Sequence, residues 1–307
     1  MSELWSLGRL LTWATDFLRR HGSESARLEA QLLLASVTSL DRVGLYVHFD
    51  RPASPAELQA FKALVQRRTR GEPVAYILGT REFFGRTFAV RTGVLVPRPE
   101  TELLVEKVLA FARSGEAHTR IVDVGTGSGI IAITLALELP EAVVVAVDVS
   151  DDALAVASEN AERHGVRDRV RLLRSDLLAR GPTGQGVVDI VVSNPPYLPD
   201  DLMATLPRDV RDFEPHLALH GGPDGLAVIR RLLPEAARVL RPQGLLALEV
   251  AGTEQGRALL AELGEEPAPG GGSATTAPGP APAGDFEGAQ LHDDLARRGR
   301  VVTARRR

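Results

Sequence analysis

A chain of 307 residues has room for about two domains at ~150 residues each. Its composition, 44% hydrophobic and 25% charged, suits a soluble globular protein, and a net charge of −4 argues against a nucleic-acid-binding field. The absence of cysteine excludes disulfides, thiolate zinc sites and cysteine nucleophiles, and no apolar run approaches the ~18 residues of a membrane span. The opening MSELWSLGRL has no signal-peptide plan, so a cytoplasmic enzyme is expected. Of the 36 basic residues 34 are arginine, lysine standing only at Lys62 and Lys107. That bias runs through the chain, so local arginine richness says little about function.

Residues 1–75 predict a small helical domain. Leu7, Leu10, Leu11, Ala14 and Leu18 recur at helical spacing, as do Ala26, Ala30, Leu33, Leu34 and Val37. A third helix is expected after the cap Ser54, with Pro55 in its first turn, Glu57 completing a capping box and Gly71 as its stop. Residues 76–102 hold short β-prone runs broken by Gly and Pro, which suggests a β-hairpin linking two domains. From 103 to 307 strands alternate with helices, implying right-handed βαβ crossovers and a mainly parallel sheet buried on both faces. The stretch 267–284, PAPGGGSATTAPGPAPAG, carries no charge and no aromatic, so a disordered insertion is expected over 265–285. A last pair of strands should follow it.

The run VDVGTGSGIIAI sets Gly125, Gly127 and Gly129 between a buried strand and a helix. Glycines there allow a tight turn and close approach of a ligand to backbone N–H groups. The spacing is neither the dinucleotide G-x-G-x-x-G nor a triphosphate loop. Asp148 ends the next strand, 23 residues after Gly125, where a carboxylate can accept from both hydroxyls of a ribose. Asp176 ends the strand after that, placed to meet an adenine amino group. Three sites at successive strand ends suit an adenosine ligand, and their spacings resemble those of class I S-adenosylmethionine-dependent methyltransferases.

The fourth strand runs into Asn194-Pro195-Pro196-Tyr197, a corner resembling the (Asn/Asp/Ser)-Pro-Pro-aromatic motif of methyltransferases that modify a planar nitrogen. Such a nitrogen, in a base amine or a carboxamide, has its lone pair delocalised and carries two N–H donors. The Asn194 side-chain oxygen and the Pro195 carbonyl can accept one each, and Tyr197 can stack on the flat group. The remaining catalysis is proximity and orientation; no titrating base is required, and none of the seven histidines sits in these motifs.

The blocks GEPVAYILGTREFFG, VLVPRPETELLVE, VDVGTGSGIIAI, VSNPPY, FEPHLALHGGPDGL and LEVAGTEQGRALL resemble, in order, those of the peptide chain release factor glutamine N5-methyltransferases. The likeness runs from about residue 70 to 264 and resumes at HDDLARRGRVV. It implies an α/β fold, a Rossmann-like seven-stranded mainly parallel sheet with a small N-terminal all-α domain joined by a β-hairpin. It implies S-adenosylmethionine as methyl donor, S-adenosylhomocysteine as product, and no metal. The acceptor implied is the glutamine of the Gly-Gly-Gln loop of class I release factors. Residue by residue, Gly125, Thr126, Gly127, Ser128 and Gly129 would hold the methionine part, Asp148 the ribose, and Asp176 and Leu177 the adenine. Asn194, Pro195, Pro196 and Tyr197 would hold the glutamine amide, with Asn194 also beside the cofactor. Phe83, Phe84, Arg98 and Glu100 would close the pocket, although core packing and a structural ion pair are competing readings of those four. The N-terminal helices would grip the release factor; a monomer without stable nucleic-acid or membrane binding is expected. The six arginines of RRGRVVTARRR fit a solvated strand edge better than a binding patch.

The alternatives are a nucleic-acid adenine N6-methyltransferase, a glutamine methyltransferase acting on a ribosomal protein, and a catalytically dead binding scaffold. The first should carry a basic channel, the second differs mainly in its N-terminal region, and the third should have lost Asp148 or Asn194.

Overall fold

The computed structural model describes residues 5–115, 119–182, 184–265 and 284–307. The insertion expected over 265–285 therefore falls, but for its ends, outside the described residues.

The N-terminal periodicity builds α1 (Leu7–Arg20) and α2 (Ala26–Thr38), followed by α3 (Arg42–Val47), α4 (Pro55–Thr69) and α5 (Val74–Leu78). Leu7, Leu10, Leu11, Ala14 and Leu18 meet Ala26, Ala30, Leu33 and Leu34 in one core with Phe61 and Val65, while Val37 is partly buried against it. Ser54 and Glu57 form the reciprocal capping box of α4, satisfying two backbone donors that the first helical turn leaves over. The sequence reading missed α3, a six-residue helix capped by Asp41, because one and a half turns are too short to show a period. It also placed residues 76–78 in the linker, where they finish α5. This helical unit comprises the chain up to Arg81 together with Pro207–Phe213. Arg68 ties the two segments: its guanidinium donates to Glu29 at 2.9 and 3.0 Å and to Asp209 at 3.3 Å.

Next comes the hairpin β1 (Thr80–Phe83) and β2 (Arg86–Ala89). Its two-residue turn, Phe84-Gly85, has both residues in the left-handed region, at φ 51° and 69°, which matches the twist of paired strands. The second unit continues with α6 (Thr101–Arg113), β3 (Arg120–Val124), α7 (Ile130–Glu138), β4 (Val143–Asp148), α8 (Asp151–Arg163), β5 (Val170–Arg174) and β6 (Val188–Ser193). After β7 (Leu198–Pro199), α9 (Asp200–Met203) and α10 (Arg208–Phe213) come β8 (His220–Gly222), α11 (Ala227–Val239), β9 (Leu240–Glu249) and α12 (Thr253–Glu262). The chain closes with β10 (Phe286–Asp293) and β11 (Gly299–Arg306), the expected last pair of strands.

The seven-stranded sheet has the order β10-β11-β9-β6-β3-β4-β5, parallel from β9 to β5 and antiparallel at β11 and β10. Alternation along the strands serves two cores. Ile121, Val144, Ile190 and Val192 face α6 and α7 through Leu104, Val108, Ile131 and Leu135. Val122, Val147, Val191 and Leu246 face α11 and α12 through Ile229, Leu232, Leu233 and Leu259. Each such aliphatic side chain, fully buried, contributes about 1.5–3 kcal/mol. Burial on both faces explains why the strands read as unbroken apolar runs.

The chain runs β3, β4, β5 outward and then returns to the other side of β3 with β6. In open α/β sheets such a reversal opens a crevice at the carboxyl ends of the strands. In-register pairing of Val124 with Val147 and with Ser193 brings Gly125, Asp148 and Asn194 to one edge.

Candidate active site

A cavity of about 210 Å³ opens at that edge, lined among others by Gly125, Gly127, Asp148, Asp176, Leu177 and Asn194. Six of the residues singled out from sequence for the cofactor thus share one space, and Pro196 lines it as well.

The glycine loop works through backbone geometry. Gly125, Gly127 and Gly129 all take positive φ, at 73°, 56° and 84°. A Cβ on Gly127 would stand in open space, and one on Gly125 would find only the Asn194 carbonyl, 4.0 Å away. The loop therefore leaves room for a ligand against its backbone. Gly129 has a different reason: a Cβ there would lie 2.8 Å from Ile133 and 3.1 Å from Ala157, so glycine lets α7 pack on α8. Thr126, Ser128 and Gly129 do not line the cavity. Thr126 and Ser128 are buried, and the Thr126 hydroxyl donates inward to Asp123 at 2.7 Å. They support the loop from behind.

Two carboxylates fix the loop. Asp148 accepts from Gly127 N–H and Ser150 N–H, both at 2.9 Å, and burial lifts its pKa despite those donors. Asp123, fully buried behind the loop, accepts from Thr126 and from Ala132 N–H at 3.1 Å through Oδ2. Its Oδ1 has no hydrogen-bond partner among the described residues, and burial pushes its pKa to about 7. Asn160 of α8 completes the brace, donating to the carbonyls of Ser128 and Ala89 at 2.8 and 3.0 Å. At the far end Leu177 lines the cavity with φ 49°, and the exposed Asp176 accepts from Arg231, another lining residue, at 2.7 Å.

The Asn-Pro-Pro-Tyr corner is held by acceptors and close backbone contact. Asn194 Nδ2 donates to Thr101 Oγ1 at 3.2 Å, which leaves Oδ1 as the polar atom of that side chain available to a ligand. Gln255 donates to the Tyr197 carbonyl at 2.9 Å. A Cβ on Gly225 would lie 2.2 Å from that carbonyl, and one on Gly221 2.8 Å from the Pro196 carbonyl, so both glycines permit the chain to fold back against the corner. Pro195 is buried and does not line the cavity. Neither does Tyr197: its hydroxyl donates to Glu249 Oε1 at 3.1 Å, and burial and that carboxyl raise its pKa.

The four residues expected to close the pocket do not line it. Phe83 is in the core with Phe88 and Leu104, and Phe84 packs against that core. Phe84 sits at the left-handed hairpin tip, where its N–H donates to Glu102 at 2.8 Å, and that tie turns it to the protein interior. Arg98 forms an ion pair at 2.7 Å with Glu214, whose other oxygen accepts from Val96 N–H at 3.0 Å. Glu100 is exposed at the start of α6. The ion pair that braces this segment is thus Arg98–Glu214.

Several residues at the site escaped the sequence reading. Thr101, Glu214, Glu249 and Gln255 lay inside the quoted blocks but were given no task there. A carboxylate ending the apolar run GLLALEV was the available signal for Glu249. His220 lines the cavity, with Nε2 2.5 Å from Asp200 Oδ1, although no histidine was expected at the site.

Comparison with known proteins follows the same division of the chain. A model of the PrmC N-terminal domain matches residues 9–79, and one of the methyltransferase small domain matches residues 99–205. The release factor glutamine methyltransferase of Geobacter sulfurreducens is 46% identical over 81% of this chain and 85% of its own length. That of Moorella thermoacetica is 46% identical over 83% of this chain and 88% of its own. Among solved structures, the hMettl16 catalytic domain, crystallised with an RNA hairpin, shares the fold at a TM-score of 0.51 and 15% identity, covering 82% of this chain and 80% of that one. Identity at that level, over nearly the full length of such relatives, means that this chain belongs to the release factor glutamine methyltransferase family.

Proposed function

We propose that this enzyme transfers a methyl group from S-adenosylmethionine to the side-chain amide nitrogen of the glutamine in the Gly-Gly-Gln loop of class I peptide release factors. The cavity suits the donor: open glycine backbone at one strand end, a carboxylate at the next, and an acid with a left-handed leucine at the third. Gly125 and Gly127 would hold the methionine part, Asp148 the ribose, and Asp176 and Leu177 the adenine. When bound, the sulfonium supplies an electrophilic methyl carbon.

The chain's own residues meet the difficulty of an amide acceptor. An amide nitrogen has little free lone pair and two N–H donors that need partners. Asn194 Oδ1, which lines the cavity, would accept one of those hydrogens, fixing the amide in one plane and drawing density onto its nitrogen. Prolines suit this corner because neither contributes an N–H that would compete for the acceptors. Orientation of a weak nucleophile in a closed site is worth several kcal/mol of barrier.

The observation that most supports this reading is that Asn194 lines the same cavity as Gly125, Gly127 and Asp148 with its Nδ2 already committed to Thr101. We assign the helical unit to recognition of the release factor; α3 leaves Val43 and Val47 70% and 72% exposed, apolar surface suited to a protein partner. The test is methyl transfer from labelled S-adenosylmethionine to a purified release factor, its Gly-Gly-Ala variant, a ribosomal protein and duplex DNA in parallel. Label in the release factor alone, absent from the variant, is expected. Label in DNA would replace the amide with an adenine amine as acceptor.

A further inference from the structure

A second cavity, of about 310 Å³, lies between α6 and the antiparallel end of the sheet, and shares no lining residue with the first. That size reaches the ~300 Å³ at which pockets for small organic ligands begin. Lys107, Ala110, Phe111 and Ser114 line it from successive turns of α6, spaced so that they form one face of the helix. Thr303 and Arg305 alternate along β11, and Gln290 and His292 along β10, so each pair turns to one side of the sheet. Val301, in the same row of β11, packs in the core with Leu104 and Val108 of α6, which makes that side the one facing the helix. Beside the cavity β10 breaks register between Glu287 and Gln290, with Gly288 at φ 59°, a bulge of the kind that bends a strand.

The charge here is one-sided. Lys107, His292 and Arg305 converge from three elements, and no carboxylate is among the lining residues. The other arginines of this terminal strand are paired: Arg300 with Asp294, Arg306 with Asp285 and Arg307 with Glu287. Arg305 and Lys107, both partly buried, have no carboxylate partner among the described residues. Arg305 therefore departs from the solvated edge expected of the terminal arginines. It is held by Phe111, whose ring centroid is 4.0 Å from the guanidinium carbon. Stacking occupies the face of a guanidinium and leaves its N–H edge, the part that grips a phosphate with two parallel bonds. His292 Nε2 lies 2.8 Å from Thr303 Oγ1, and burial and the Lys107 charge both lower its pKa. Leu245 and Ala304 add apolar lining from the sheet. Unpaired cations beside apolar surface suit an anion that carries an organic group.

We propose that this cavity is a second ligand site, taking a small organic phosphate whose phosphoryl oxygens meet Lys107 and Arg305 and whose apolar part lies over Leu245 and Ala304. The site is independent of the methyl-transfer reading.

The probe is phenyl phosphate, titrated by calorimetry into the full-length enzyme beside inorganic phosphate, benzyl alcohol and a short RNA. Phenyl phosphate should bind at a single site with a Kd near or below about 1 mM. Inorganic phosphate should bind more weakly, and benzyl alcohol not at all. Lys107→Gln and Arg305→Gln should each weaken phenyl phosphate about 10-fold, the scale of one charged hydrogen bond. Arg307→Gln, which removes the same charge from an ion-paired neighbour, should leave its Kd unchanged. All three variants should keep the wild-type kcat on the release factor, since none of these residues lines the cofactor cavity. If Arg305→Gln lowers Tm, Lys107→Gln decides alone. Failure of phenyl phosphate to bind, or equal weakening by all three variants, overturns the proposal. So does binding no tighter than that of inorganic phosphate, the mark of a merely basic surface. RNA binding without phenyl phosphate binding would likewise overturn it, in favour of a nucleic-acid surface.

Discussion

The two halves of the cavity face each other with opposite chemistry. The β3–α7 loop is made of glycines in left-handed conformations whose N–H groups are used within the protein: Gly125 and Thr126 donate to the Val147 carbonyl, Gly127 to Asp148 and Gly129 to the Thr126 carbonyl. The β6 corner is made of prolines without N–H groups and leaves a side-chain oxygen and carbonyls as its polar atoms. The loop thus offers a ligand close approach to bare backbone, and the corner offers acceptors to a ligand rich in donors. Yet both are stiffened in the same way, by a buried carboxyl one layer back. Asp123 holds Thr126 and Ala132 behind the loop, and Glu249 holds Tyr197 behind the corner. Burial pushes both to about 7. The difference teaches that what each half presents is set by its Gly or Pro backbone, and how firmly it presents it by an acid the ligand never meets.

Breaking the corner should cost most. Asn194→Ala should cut kcat about 100-fold or more while leaving S-adenosylmethionine affinity near normal, checked by steady-state kinetics and calorimetry. Unchanged turnover would remove Asn194 from its proposed role. Gly225→Ala comes next: its Cβ would drive into the Tyr197 carbonyl at a position with φ 77°, so the corner must shift. A loss of about 1–3 kcal/mol in stability is expected from denaturant unfolding, with activity falling further than stability alone explains. On the loop, Gly127→Ala meets no neighbour but must hold φ 56°, a strain of about 1–2 kcal/mol. It should weaken the cofactor more than it slows a saturated enzyme.

The smallest effect separates the two buried acids. The Asp123 pKa rises from 3.8 unfolded to about 7 folded, so the native state favours its protonated form. Its contribution to stability is complete below about pH 4 and is lost as pH rises through about 7. Asp123→Asn keeps the shape and removes the titration. Its Tm should therefore fall less than that of the wild type between about pH 5 and pH 8. Parallel Tm curves would show that Asp123 does not titrate in that window.

Much of this was legible in the sequence for identifiable reasons. Strands buried on both faces read as apolar runs, the capping box of α4 has a fixed spacing, and residues ending parallel strands must meet at one edge. That is why Gly125, Asp148, Asp176 and Asn194 could be grouped before any coordinates. The supporting layer was not legible. Thr101 lies 93 positions from Asn194, and Glu249 lies 52 from Tyr197, so no local spacing announces their contact. Phe84 misled for a related reason: an aromatic beside a glycine reads as a pocket wall, but a left-handed hairpin tip tied to Glu102 turns it inward. Arg98 and Glu100 were paired by proximity in sequence, whereas Glu214, more than a hundred residues on, supplies the buried partner.

The most direct test of the whole account is tandem mass spectrometry of a class I release factor incubated with the enzyme and S-adenosylmethionine. The account predicts one added methyl group, on the side-chain nitrogen of the Gly-Gly-Gln glutamine, and none with Asn194→Ala enzyme over the same period. A methyl group elsewhere on the factor, or on that glutamine with the variant at wild-type rate, would contradict it.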